Sequence, residues 1–434
     1  MSRSRLAGLS LFGMVIFCLA NGLLSHSTPV FYLMGGVCAF FAAVLLFADL
    51  GLGAKIQVGL LFLLGISLML YAHYRGVSIS LVEAIARNTF LLTMLMSVGF
   101  LKLLLDTEVD KQALPRGRQA FLKTLLSLGF FGSVINLSAP VMICDRIAEE
   151  QPVDHFIAGV TTRIFCLCSC WSPYFAGAAF VLTYVPGVKL WQIMLTGLPL
   201  LILGIALVYI QSSLNHRERV EKFVGYPVSA QKLWLPVALS ICVILTKLVF
   251  PHLSILVVIS LSCLLLTMAS LLIKLGVRIS VKRLIGHINQ GLPKSSNELL
   301  LFLAAGVLAT GLGAYIQTTG YQLTITDFEW RNAALLLGGM IIIAAIGLHP
   351  IILISALTPI LLPISPDPEL LAITYLFAWA LGTAASPLSG THMVIQGRYG
   401  IPAWQSAVQN WPYVATMYLA ALGLMAIHTQ LSGI

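Results

Sequence analysis

The sequence predicts an all-α, polytopic membrane protein of about 11 spans, with re-entrant hairpins and broken helices arranged in two inverted repeats. Three observations carry that prediction. Hydrophobic residues fill 59% of the 434 positions and charged residues only 9%, far from the composition of a soluble domain. Apolar runs of about 20 residues, the length that crosses a bilayer, recur from one end to the other. Polar clusters containing Pro interrupt those runs at matching points in the two halves.

The first runs cover approximately 6–24, 30–49, 55–73 and 80–105. Arg3 and Arg5 precede the first, whose length and lack of a small-residue cleavage site make it an expected retained span rather than a signal peptide. Residues 1–79 therefore read as scaffold spans outside the repeat. The fourth run leads to Lys111, Arg116, Arg118 and Lys123. Basic loops favour the cytoplasmic side, so an N-terminus on that side and four crossings agree with one another.

A first repeat is assigned to 80–211. Within it 121–145 is apolar at both ends and polar at Ser133, Asn136, Ser138 and Pro140. A re-entrant hairpin explains this pattern, because Lys123 and Arg146 then stay on one side. The run 156–185 is broken at Ser172-Pro173, and a span near 190–211 returns to Arg217, Arg219 and Lys222. Residues 212–294 hold connecting spans near 233–250 and 253–274, turning at Pro251-His252, and then a basic cytoplasmic loop with Lys274, Arg278, Lys282, Arg283 and Lys294.

The second repeat is assigned to 295–434. Its hairpin, 333–364, is interrupted at Leu348-His349-Pro350, and its broken helix, 369–396, at Ser386-Pro387. Asn297 follows Asn88 by 209 positions, Ser386 follows Ser172 by 214 and Trp404-Gln405 follows Trp191-Gln192 by 213. The crossing count places the two halves in opposite orientation, as in many secondary carriers whose site lies at the repeat interface.

Broken helices supply two kinds of ligand. A half-helix N-terminus presents free N–H groups to an anion, while unwound carbonyls and hydroxyls can hold a small cation. Half-helices are expected to start after Pro140, Pro173, Pro350 and Pro387. The candidate substrate ligands are Asn136, Ser138, Ser172, His349, Ser386, Ser389, Thr391 and His392. The candidate co-ion ligands, for Na+ or H+, are Asn136, Ser138, Ser389, Gly390 and Thr391. His349 and His392 could donate to an anion when neutral or carry a coupling proton. Arg163 and Arg398 are expected to snorkel to the cytoplasmic interface, the alternative being a carboxylate partner in the pathway.

Acidic residues are scarce in the spans; Asp145 and Glu298 come closest. That scarcity favours an anionic solute over a sodium/proton antiporter, which needs an exchangeable carboxylate. A membrane-embedded enzyme is the third reading, but HExxH and GxSxG are absent and no enzymatic activity is expected. The net charge of +9 sits in loops, so lipid and a small solute are the expected partners and nucleic acid is not. Eight cysteines include the cluster Cys166, Cys168 and Cys170, whose spacing suits packing rather than zinc; no metal or other cofactor is expected.

With these segments in place, the chain resembles the ion transporter superfamily of secondary carriers, which includes the divalent anion:sodium symporters. The likeness spans roughly Leu81 to Ile193 and Ser295 to Gln409. In the symporters the hairpin tips carry Ser-Asn-Thr. The nearest matches are Asn136-Leu137-Ser138 in the first hairpin and Ser389-Gly390-Thr391, which lies in the second broken helix instead. The resemblance implies alternating-access transport of a small organic or inorganic, carboxylate-like anion across the cytoplasmic (inner) membrane, by a homodimer.

Overall fold

A computed structural model of the protein describes residues 2–24, 29–105, 113–227, 234–321 and 328–432, and among them every regular element is helical. In chain order these are α1 (Arg3–Leu23), α2 (Pro29–Leu46), α3 (Leu52–Tyr74), α4 (Leu81–Ala86), α5 (Thr89–Gly99) and α6 (Lys102–Leu105). Then come α7 (Arg118–Ile135), α8 (Ser138–Ala148), α9 (His155–Leu167), α10 (Ala176–Tyr184), α11 (Leu190–Asn215) and α12 (Arg217–Glu221). The remainder are α13 (Trp234–Val249), α14 (Ile255–Gly286), α15 (Ser296–Thr319), α16 (Trp330–Ala345), α17 (Pro350–Leu361), α18 (Pro368–Ala385), α19 (Gly390–Tyr399) and α20 (Ala403–Ser432). Among the described residues, 8 helical stretches are long and apolar enough to cross a membrane. The chain is thus a polytopic helical membrane protein, since a segment in lipid must satisfy its own backbone.

The run 80–105 is long and apolar enough to cross a membrane, as expected, with turns at Arg87-Asn88 and after Gly99. The Asn88 amide donates to the Phe302 carbonyl at 2.7 Å, so the first turn is fastened to α15. The basic stretch 274–294 is not a loop. Val277, Val281, Ile285 and Ile288 recur at three- and four-residue spacing, a helical period, and the stretch is helical beyond a kink at Gly276, where φ is 73°. A short π turn over His287–Gly291 and a 3-10 turn over Leu292–Ser295 carry it into α15.

The helices form two compact units, each assembled from three separate stretches of the chain. One comprises Met1–Val109, Leu235–Leu323 and Ser355–Pro363. Here α3 and α15 meet at glycines: a Cβ on Gly65 would lie 2.8 Å from the Leu308 nitrogen, and one on Gly311 would strike the Gly65 carbonyl. Small residues at such crossings let membrane helices approach closely. Leu60, Leu63 and Leu70 of α3 are exposed, as on a lipid-facing surface.

The other unit comprises Asp110–Trp234, Thr324–Ile354 and Ile364–Ile434. Its centre is α18, buried without interruption from Leu370 to Ala385 and packed against α9, α10, α16 and α20. Asp367 starts α18 by accepting from the Leu370 N–H at 2.8 Å, with Pro368 in the first turn. Both breaks foreseen at Ser-Pro pairs are present. The first lies between a 3-10 turn at Cys168–Cys170 and α10; the second occupies residues 386–389 between α18 and α19. Asn136, at φ 53°, ends α7 and turns the chain into α8, a backbone position that Asn tolerates better than most residues. Helices α7 to α11 start at 118, 138, 155, 176 and 190, and α16 to α20 at 330, 350, 368, 390 and 403. The spacing between corresponding starts is 212 to 214 residues throughout.

Candidate functional site

Pro387 disfavours a helical Ser386, whose backbone is extended at φ −86°, ψ 124°. The break strips the last carbonyls of α18 of their helical partners. Side chains from α19 and α20 replace them. His392 Nδ1 lies 2.9 Å from the Ser386 carbonyl, Asn410 Nδ2 donates to the Ala384 carbonyl at 3.2 Å, and Trp411 Nε1 donates to the Ala385 carbonyl at 3.2 Å. Ser389 caps α19 by accepting from the His392 N–H at 3.4 Å, and its hydroxyl also lies 2.8 Å from His392 Nδ1. Ser386, Ser389 and His392 therefore form one buried cluster, and Thr391 is buried beside them in sequence.

Asn410 links this cluster to the first broken helix. Its Nδ2 faces Thr162 Oγ1 at 3.1 Å and His392 Nε2 at 3.3 Å, and its Oδ1 accepts from Arg163 Nε at 2.8 Å. Arg163 also donates to the Gln409 carbonyl at 2.8 Å and stands 5.2 Å from the centre of the Tyr413 ring. Among the described residues, the hydroxyls of Ser386 and Tyr413 are two of several that are buried with no hydrogen-bond partner, a state that costs free energy.

Ser172, in the first break, donates to the Ser133 carbonyl of α7 and accepts from the Tyr174 N–H at 3.1 Å. Cys168 points to the Gly129 carbonyl at 3.4 Å and Cys170 to the Leu376 carbonyl at 3.8 Å, so both seat the break against α7 and α18. Among the described residues, no cluster of His, Cys, Asp and Glu is placed to hold a metal.

The other expected ligands stand apart from this network. His349 accepts from the Ile351 N–H at 3.2 Å, capping α17, and its ring meets Trp379 edge-on at 5.3 Å. Neither Asn136 nor Ser138 offers a side-chain hydrogen bond to the cluster. Gly390 opens α19 with open space beside its Cα.

Both arginines have side-chain partners. Arg163 is engaged by Asn410, and Arg398 pairs with Asp145 through Nε–Oδ1 at 2.7 Å and Nη2–Oδ2 at 2.5 Å. An acceptor within reach is worth more to a guanidinium than distant water. Thr162, Asn410, Trp411 and Tyr413 were not singled out by sequence reading. The available signal was Asn410 with Pro412 inside the otherwise apolar last run.

Outside the spans, Arg217 donates to Glu221 at 2.9 Å, and this bond holds the Glu221 carboxyl below its ordinary range. An open cleft of about 330 Å³ next to it is lined by Asp154, Glu218, Arg219 and Lys222. Compared with protein-family models and with curated proteins, the chain matches none.

Proposed function

We propose that the protein is a secondary active transporter that moves a small organic or inorganic anion, carboxylate-like in charge, by alternating access with Na+ or H+ as coupling ion. The observation that carries this reading is the joining of two interrupted helices by one polar network: Thr162 and Arg163 of α9, Ser386, Ser389 and His392 around the second break, and Asn410 between them. Unwound backbone at membrane depth is tolerated where it lines a protein-bounded or watery site. The charge within the network is positive, from Arg163, and the nearby carboxylate of Asp145 is committed to Arg398. This favours an anion over cation exchange.

The near-constant spacing of α7–α11 and α16–α20 supports two repeats, and the crossing count makes them inverted. Counted with the shorter apolar helices, the spans number about 11, with the N-terminus and the basic segments in the cytoplasm of a cell with an inner membrane. The likeness to the ion transporter superfamily belongs to the same proposal, as does a homodimer. Competition among small carboxylates and inorganic oxyanions for binding to the purified protein, with and without sodium, tests the reading. Saturable displacement by one class of anion supports it; no anion binding under any condition overturns it.

A further inference from the structure

We infer that residues 277–286, the part of α14 beyond its kink, form an interfacial helix that binds the phosphate headgroups of anionic phospholipids; this goes beyond the transport reading and holds whatever the solute. Before the kink, residues 255–275 are helical and cover about 30 Å, the depth of a bilayer's hydrocarbon core. Gly276 then takes φ 73° and ψ 169°, a backbone state that glycine enters without steric cost. Its carbonyl accepts from Ser280 Oγ at 2.7 Å. The chain therefore changes direction at the point where one crossing is complete.

Beyond the kink the side chains sort into stripes, because each residue advances about 100° around a helix. Val277, Val281 and Ile285, four apart, share one stripe, and Arg278 and Lys282, each one residue later, form another beside it. The apolar stripe is 69%, 46% and 52% exposed, and both cations are exposed. Ile279, also exposed, borders the cations on their other side. Ser280 is fully buried and Leu284, a turn further on, is half-buried, so the helix rests on the protein by its opposite face. Among the described residues, neither Arg278 nor Lys282 has a carboxylate partner. Water or a soluble polyanion satisfies such cations but leaves Val and Ile uncovered. A bilayer surface covers both, with the apolar side chains at acyl level and the cations among the phosphates.

The surroundings carry the same sign. The first turn of α1 holds the turn that follows this helix: Ser4 Oγ donates to the Asn289 carbonyl at 3.1 Å, and a Cβ on Gly8 would strike the Ile288 carbonyl. Arg5 and Lys294 are exposed at this end of the unit. Of the carboxylates nearby, Asp49 is taken by Arg3, and Glu298 is half-buried in the first turn of α15. The loop-charge rule places this end in the cytoplasm, whose leaflet holds the anionic lipids. Each cation close to that surface strengthens binding about fivefold.

The test titrates fluorescent phosphatidylglycerol and fluorescent phosphatidylcholine against the purified full-length protein in a neutral detergent, at low and high salt. Phosphatidylglycerol is expected to bind about twentyfold tighter at low salt, with the preference shrinking at high salt. Arg278→Gln combined with Lys282→Gln removes most of that preference, whereas Arg278→Lys combined with Lys282→Arg retains it. Val281→Asp weakens the binding of both lipids. Should the glutamine pair fold poorly, each single substitution is read in its place, with a loss of about fivefold. Equal affinity for the two lipids, or a preference that survives the glutamine pair in folded protein, overturns the inference. Displacement of phosphatidylglycerol by inorganic phosphate at matched concentration assigns the cations to free phosphate and overturns it as well. So does a loss of self-association in the glutamine pair with lipid preference intact, which gives the face to a second copy of the chain.

Discussion

Arg398 and Asp145 face one another as a two-point ion pair, Nε to Oδ1 at 2.7 Å and Nη2 to Oδ2 at 2.5 Å, and the Tyr399 hydroxyl donates to the same carboxylate at 2.7 Å. The pair ties α19, the half-helix after the second break, to α8, the second arm of the first hairpin. Both side chains are about half exposed, so solvent screens much of their attraction. A double-mutant cycle of Asp145→Ala and Arg398→Ala, read by thermal unfolding in detergent, is expected to show a coupling of about 1 kcal/mol at low salt that fades at high salt. Zero coupling at low salt would contradict the contact.

Ser389 holds the start of α19, and its loss should act on stability and transport together. Ser389→Ala is expected to cost about 1 kcal/mol through the missing cap. Ser386→Ala, Ser389→Ala and Thr391→Ala should each weaken uptake while the amount of protein in the membrane stays the same. Normal uptake by all three variants would reduce the second break to a helix kink.

Close packing at the first break gives a prediction independent of transport. A Cβ on Gly197 of α11 would run into the Cys170 carbonyl, whereas Gly423 of α20 has open space beside it. Gly197→Ala is therefore expected to destabilise by roughly 1–3 kcal/mol, and Gly423→Ala to be neutral or stabilising by up to about 1 kcal/mol. Melting temperatures of the two variants check the contrast; equal effects would mean that α11 does not press on the break.

Breaks at Ser172-Pro173 and Ser386-Pro387, and the hairpin turn at Asn136, were legible because Pro and polar residues in an apolar run have few other uses. Asn410 was not. A lone amide in a long apolar helix reads as packing, and its significance lies in partners that are remote in sequence, Arg163 being 247 residues away. The partners of Arg163 and Arg398 were hidden for the same reason: Asn410 and Asp145 become their neighbours only in the folded chain. The helical state of 274–294 was masked by its charge, since the cations were weighed before the four-residue spacing of Val277, Val281 and Ile285. His349 stood out by its position next to Pro350, and in the folded chain its ring also accepts from the Ile351 N–H at the start of α17.

Concentrative uptake in proteoliposomes tests the central claim most directly. Labelled carboxylates and inorganic oxyanions are offered under an imposed proton or sodium gradient, to the unaltered protein and to Ser389→Ala. The account predicts that one class of anion accumulates above its equilibrium distribution while the gradient lasts, saturably, and that Ser389→Ala reduces this accumulation. Failure of every anion to accumulate under either gradient, in vesicles shown to contain folded protein, would contradict it.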